Sequence, residues 1–276
     1  MKHFCIYTNS HKDKDLTVTG FIRAYFEERG IACSAAVGQD ARIPEDADCV
    51  LALGGDGTML QAARAVGGRH GVSLLGINMG TLGYLTEVEP DGIAEALGQV
   101  LAGDYELESR MMLNGTVHRK NGERREDFAL NDIVIGKAGS QQVLQFHLYV
   151  NRKLLNKYLA DGMIVTTPTG STGYNLSAGG PIVEPSARLL VLTPICPHTM
   201  IQRSIVLSAE DEIVIEIPAG RDGSVQRAAA NFDGCGMELE TGDAVRIVKS
   251  ERTTDFIKLG NAGFLEILHK KMSDNR

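Results

Sequence analysis

The sequence predicts an α/β N-terminal domain built on a parallel sheet, followed by an all-β, sandwich-type C-terminal domain. Three observations predict it. From His3 to Ala102, strand-like and helix-like stretches alternate at short pitch, the pattern of a parallel sheet with helices on its faces. After Tyr105 the texture changes to short β-prone runs broken by Gly, Asn and Asp, with few helical stretches between them. The third is VLALGGDGTMLQAARA (50–65), where a short apolar run stops at glycines and helical spacing begins after Thr58.

In order, His3 to Thr8 is rich in strand formers, and Leu16 to Arg29 carries Val18, Ile22, Tyr25 and Phe26 on one helical face before Gly30. Ile31 to Val37 and Cys49 to Leu53 read as strands, a helix follows Thr58, and Val72 to Ile77 is a fourth strand. Pro90 to Ala102 completes the domain as a helix with Ile93, Leu97, Val100 and Leu101 apolar and Gly103 after it. This is a Rossmann-like arrangement, and its ligands belong at the carboxyl ends of the strands. The boundary falls near Gly103, giving domains 1–103 and 104–276.

In the second domain the strand-like runs are 110–119, 128–135, 145–151, 163–167, 205–207, 213–217, 237–240 and 244–249. Asn121-Gly122 and Asn151-Arg152 read as turns. The run from Asp161 to Val183 breaks the pattern. The segment 256–269 leaves open whether the tail 256–276 packs back on the first domain.

At 276 residues with 43% hydrophobic composition the chain can bury a real core. A net charge of −7 argues against nucleic-acid or anionic-membrane partners, which call for a basic face. The N-terminus turns polar too early for a secretory leader, and no apolar run approaches the roughly 20 residues of a membrane helix. The expected location is the cytoplasm. Five scattered cysteines without CxxC spacing read as reduced thiols, not as disulfides or a zinc site. Two matches to the glycosylation pattern, at Asn114 and Asn175, count as coincidence without an export signal.

Gly54, Gly55 and Gly57 are expected to allow positive φ and close approach to the backbone, and the start of the following helix favours an anion. With Thr58 they form a candidate phosphate cradle. Asp56 inside it would repel phosphates unless it binds a metal, holds a sugar hydroxyl or takes a proton. The plainer alternative is a strand-to-helix turn with Asp56 in a left-handed conformation. No G-x-x-x-x-G-K-[ST] occurs in the chain, and the third glycine of G-x-G-x-x-G is missing here. GINMGTLGYL (76–85) has Asn78 directly after a strand, with Leu82, Tyr84 and Leu85 able to cover a ligand. Asn131-Asp132 interrupts the apolar FALNDIVI, where burying both groups costs a few kcal/mol unless each finds partners. A strand edge facing a ligand is therefore the expected setting, and the pair suits the two hydroxyls of a ribose.

The run ADGMIVTTPTGSTGYNLSAGGPIV (160–183) packs Thr166, Thr167, Thr169, Ser171, Thr172, Tyr174, Asn175 and Ser177 around Gly170, Gly173, Gly179 and Gly180. Such density of small donors serves a polar ligand met by backbone and hydroxyls, as an adenosine would be.

With these residues in hand, the chain resembles the NAD kinases. GGDGT at Gly54 to Thr58, the Asn-acidic pair at Asn131-Asp132 and DGMIVTTPTGSTGYNLSAGGP at Asp161 to Pro181 stand in the order that family shows, and GINMGTLGYL is similar to its GIN-x-G-x-LGFL segment. The resemblance implies transfer of the terminal phosphoryl group of ATP to the 2′-hydroxyl of the adenosine ribose of NAD, giving NADP, with Mg²⁺ or Mn²⁺. It makes Asp56 the proton acceptor or orienting group, with Gly57 beside it. Asn131 and Asp132 would contact the sugar and base of NAD. Asp161, Thr169, Thr172, Gly173 and Tyr174 would line its pocket, with Asn175, Leu176 and Ser177 close by. A homodimer or homotetramer is implied as well.

Leu159 stands where many members carry a basic residue, Gly173 replaces a more usual alanine, and Cys235 stands near a position often filled by Gln. These bear on the detail of the pocket and on preference between NAD and NADH. Arg203 and Arg227 read as surface charges before phosphate partners. Two alternatives stay open at this stage. A lipid or small-alcohol kinase would need a large apolar acceptor cavity, and a non-catalytic NAD(H) sensor would bind the dinucleotide without turnover.

Overall fold

Short apolar runs alternating with amphipathic stretches set the topology of the first unit. The computed structural model describes residues 1–38, 41–81, 83–139, 143–198, 203–260 and 263–273, and the chain divides into two units, Met1–Arg110 with Arg252–Arg276 and Met111–Glu251. The first unit runs β1 (His3–Thr8), α1 (Thr17–Glu27), β2 (Ala32–Val37), β3 (Cys49–Gly54), α2 (Asp56–Val66), β4 (Ser73–Asn78) and α3 (Ile93–Ala102). Its strands pair in parallel in the order β2-β1-β3-β4. Every residue of β3 and β4 is buried, as expected of strands covered on both faces. The core packs Phe4, Ile6, Leu51, Leu53 and Leu75 against Ile22 and Phe26 of α1 and Leu97 of α3. The strand order reverses between β1 and β3, so the crevice beyond their carboxyl ends is the place for a ligand. GGDG lies at that end of β3.

The second unit continues with β5 (Glu106–His118), β6 (Arg124–Ala129), β7 (Asp132–Lys137), β8 (Leu144–Val150), β9 (Lys153–Ala160), β10 (Gly162–Thr166), the short α4 (Tyr174–Ser177), β11 (Leu189–Ile195), β12 (Ile205–Ser208), β13 (Ile213–Glu216), β14 (Arg227–Phe232), β15 (Cys235–Glu240) and β16 (Ala244–Lys258). One antiparallel sheet has the order β12-β11-β10-β7-β14-β15. The other carries β13 between β8 and β16, with β9 beyond β8. Inward residues of both, among them Ile135, Met163 and Phe232 from the first and Phe146, Ile215 and Val245 from the second, share one core. The turns expected at Asn121-Gly122 and Asn151-Arg152 close the β5–β6 and β8–β9 hairpins; Gly122 has φ 89° and Asn151 and Arg152 have φ 50° and 65°. The far end of β16 returns to the first unit, where Asp255 and Phe256 pair in parallel with Ser73 and Leu74, and α5 (Phe264–Ser273) follows.

Three strands escaped the sequence reading. β14 (RAAANF) is alanine-rich and carries little strand propensity, yet Ala228 and Ala230 are buried in the sandwich core. β11 contains Pro194, which argues against a paired strand. It is tolerated because β12 pairs only with Leu189–Leu192, so the proline lies beyond that ladder. β9 is an edge strand whose first five residues are all exposed and show no alternation. The single strand expected at 128–135 is two, β6 and β7, separated by Leu130 and Asn131. Leu82, expected to cover a ligand, lies outside the described residues.

Candidate active site

The candidate residues fall into two groups, one in each unit. In the first, β3 delivers Gly54 and Gly55 to the start of α2, whose first residue is Asp56. Gly55 takes extended angles and no side chain caps the helix, so its leading N–H groups keep their donor capacity for an anion. None of the glycines 54, 55 and 57 has positive φ, and Asp56 is helical, not left-handed. Gly54 is required for a different reason, since a side chain there would run into Thr58. Thr58 is buried, and Asn9, which follows β1, donates its Nδ2 to Thr58 Oγ1 at 3.3 Å.

The carboxylate of Asp56 is aimed by the second glycine-rich stretch. Its Oδ2 accepts the Tyr84 N–H and its Oδ1 the Leu85 N–H, each at 2.9 Å. Gly83 makes this approach possible, because a Cβ at that position would overlap Asp56 Oδ1. Gly83→Ala is therefore expected to push the Asp56 side chain aside while leaving the core intact, lowering kcat roughly 10- to 100-fold with little change in Tm. Steady-state kinetics beside a thermal melt check it, and unchanged kcat would refute it. Asn78, expected just after the fourth strand, is the last residue of β4; it is 1% exposed and spends its amide on Gly80 and on the Glu89 carboxylate.

In the second unit, Asn131 and Asp132 sit where the chain enters β7. That strand is central, paired with β10 and β14, so the expected strand-edge setting is corrected to a strand end. The turn is organised by a residue the sequence reading did not single out. Asp233, at the β14–β15 corner with φ 47°, accepts the backbone N–H groups of Leu130, Asn131 and Asp132 at 2.6, 3.0 and 3.1 Å. Asp132 is 9% exposed, and burial together with the Asp233 charge raises its pKa to about 7. The buried Oδ1 of Asn131 has no partner among the described residues.

That shift fixes a sign. Between the ordinary carboxylate pKa near 4 and about 7 the folded chain holds a proton at Asp132 that the unfolded chain has lost, so this residue's stability contribution is full below about 4 and lost as pH rises through 7. Asp132→Asn should remove that dependence, narrowing the stability difference between pH 5 and pH 8 by roughly 2 kcal/mol in urea titrations. An unchanged difference would exclude the buried acid.

The run 160–183 first forms β10 and then, from Thr167, a 3-10 turn (Thr169–Thr172) and α4 that lie over this pair. Gly170 meets the Asn131 backbone so closely that a Cβ would overlap the Asn131 carbonyl oxygen. At Gly173 a Cβ would stand 3.4 Å from Asn131 Nδ2 and 4.0 Å from Asp132 Oδ2, so the turn brings Gly173 onto the Asn131-Asp132 pair. Several hydroxyls expected to meet a ligand hold the turn instead. Thr166 and Thr167 donate to the carbonyls of Asn131 and Leu130, Ser171 bonds Val183, and Asn175 gives both amide hydrogens to Ser171 and Pro181. All four are fully buried, because a loop with this much buried backbone must satisfy its carbonyls internally. Thr169 is buried too, whereas Tyr174, Leu176 and Ser177 are exposed and Thr172 is half-buried.

Asp161 is not brought to this cluster. The register pairs Thr166 with Asp132 and Gly162 with Gly136, so Asp161 lies at the opposite end of the β7–β10 pair, about 13 Å or more along it, where it pairs with Lys137. Cys235, Arg203 and Arg227 are exposed, and Leu159 is half-buried.

Family comparison agrees with these two halves. The family model of the ATP-NAD kinase N-terminal domain matches residues 6–105, and that of the ATP-NAD kinase C-terminal domain matches residues 130–259. The chain belongs to the ATP-NAD kinase family. Its relatives in that family include the NAD kinase of Lachnospira eligens, 42% identical across 99% of this chain and 100% of that protein, and the NAD kinase of Agathobacter rectalis, 43% identical across 99% of each. The ATP-NAD kinase fold is also seen in solved structures. The yeast NADH kinase complexed with NADH superimposes with a TM-score of 0.88 at 20% identity, covering 99% of this chain and 88% of that one. An NAD kinase from Archaeoglobus fulgidus in complex with ATP gives 0.79 at 23% identity, covering 99% and 100%.

Proposed function

We propose that this chain transfers the terminal phosphoryl group of ATP to the 2′-hydroxyl of the adenosine ribose of NAD, yielding NADP and ADP. The observation that carries the reading is Asp56, an acid fixed by two backbone amides at the uncapped start of α2 in a chain of the ATP-NAD kinase family. Phosphoryl transfer asks mainly for positioning and charge neutralisation. The N–H groups around Gly54, Gly55, Gly57 and Thr58 supply donors for the phosphates. Asp56 accepts a hydrogen bond from the 2′-hydroxyl and takes its proton as the new P–O bond forms and the bond to ADP breaks. Asn131 and Asp132 hold the sugar and base of NAD, the unpartnered Asn131 Oδ1 being an acceptor in want of a donor. Gly173, Thr172, Tyr174, Leu176 and Ser177 form the rim, while Thr169 and Asn175 brace it from within.

The divalent cation, Mg²⁺ or Mn²⁺, is assigned to the polyphosphate of ATP. Among the described residues no three His, Cys, Asp or Glu side chains converge on a metal position. No described helix is long and apolar enough to cross a membrane. We infer a cytoplasmic enzyme acting as a homodimer or homotetramer, which fractionation and light scattering test. For the reaction, purified protein is mixed with ATP, Mg²⁺ and NAD or NADH, and product is read with an NADP-specific dehydrogenase. NADP(H) formation that depends on ATP is expected; binding of NAD without product would favour the sensor alternative and overturn the reading.

A further inference from the structure

α5 has no part in the chemistry above, yet it ends on the loop that aims Asp56. Phe264, Ile267, Leu268 and Lys271 recur at i, i+3, i+4 and i+7, and these are its buried or half-buried positions, whereas Leu265 and Met272 are 72% and 69% exposed. The helix is thus docked along one stripe. Under that stripe lies Tyr84, whose ring centroid is 6.3 Å from that of Phe264 and 4.5 Å from Lys271 Nζ. The same arm holds the loop three residues further on, where the buried Glu87 carboxylate pairs with Lys258 and accepts the Leu259 N–H at 3.0 Å. Segment 84–87 is therefore gripped at one end by Phe264 and Lys271 and at the other by Lys258 and Leu259. Within it, the Tyr84 and Leu85 amides are the two donors to Asp56.

We propose that α5 is a positioning clamp for the reaction: Phe264 and Lys271 fix the Tyr84 ring, and through it the pair of amides that point the Asp56 carboxylate. The inference rests on the assignment of Asp56. A loop end free to rotate would still leave phosphate and dinucleotide contacts in place, so the clamp acts on turnover and spares affinity. Neither Phe264 nor Lys271 touches the reacting atoms; both act through Tyr84.

The test uses the full chain. Phe264→Ala/Lys271→Ala is expected to lower kcat about 5- to 50-fold, with KM for ATP and for NAD within about twofold of wild type. Phe264→Tyr and Lys271→Arg, which keep the ring and the cation, should restore kcat. Tyr84→Leu, which leaves the sequence of α5 intact, should reproduce the loss and guards against a helix that fails to fold. Because the effect runs through Asp56, the double substitution should cost nothing further in an Asp56→Asn background. Unchanged kcat in the double variant, or a loss of the same size in the Asp56→Asn background, would overturn the clamp alone. Wild-type turnover by Asp56→Asn itself would overturn both the clamp and the assignment of Asp56.

Discussion

Asp56→Asn is expected to lower kcat about 10²- to 10⁴-fold, the range typical of a positioned acid–base group, while the protein stays folded. The substitution keeps shape and removes charge. One end of the carboxamide can still accept from Tyr84 or Leu85, but the other is a donor facing a donor, so one backbone hydrogen bond is lost at a cost of about 1 kcal/mol. The core of the first unit, built on Phe4, Leu51, Leu53 and Leu97, is not touched. The kinetic loss converts to about 3 to 5.5 kcal/mol of transition-state stabilisation, well above the structural cost. Saturating kinetics with ATP and NAD, paired with a thermal melt, separate the two. Full turnover would remove Asp56 from the chemistry, and loss of folding would make it a structural acid.

The fold class was legible because hydrophobic period and turn residues carry it. The alternation up to Ala102 and the turns at Asn121-Gly122 and Asn151-Arg152 stand where the pattern put them. What stayed hidden depends on neighbours distant in sequence. Alanines in β14 become strand residues because β7 and β15 pair with them on either side, a contact set by residues about 90 positions upstream as well as by the next hairpin. The site was legible as composition but not as roles. GGDG, Asn131-Asp132 and the threonine-rich run all stand out, yet sequence spacing cannot tell a hydroxyl that meets a ligand from one that ties down a carbonyl, as Thr166 and Thr167 do. Nor can it show that Asp161, close in sequence to Thr169, is carried by β10 to the far end of the strand. Tyr84 and Leu85 act through backbone N–H groups, which any side chain would supply.

Loss of the Asp233 carboxylate should destabilise the second unit by several kcal/mol. Asp233→Ala leaves the N–H groups of Leu130, Asn131 and Asp132 without their acceptor, and charge-assisted bonds of this kind contribute about 1 to 3 kcal/mol each. Ala is also strained at φ 47° by roughly 1 kcal/mol. Allowing for partial replacement by water, a destabilisation of about 3 to 5 kcal/mol is expected in urea titrations. Asp233→Asn tolerates the left-handed backbone and keeps one acceptor oxygen, so it should fall between wild type and Ala. The same change reaches the site, because the turn that places Asn131 and Asp132 hangs from this carboxylate. KM for NAD should rise while KM for ATP stays near wild type. Removing the Asp233 charge also lowers the Asp132 pKa, although burial, the larger cause, keeps it above the ordinary carboxylate value. The pH window over which Asp132 loses its stabilising proton should then shift to lower pH in Asp233→Asn. A variant as stable as wild type, with the window unmoved, would show that the Leu130–Asp132 turn holds itself without Asp233.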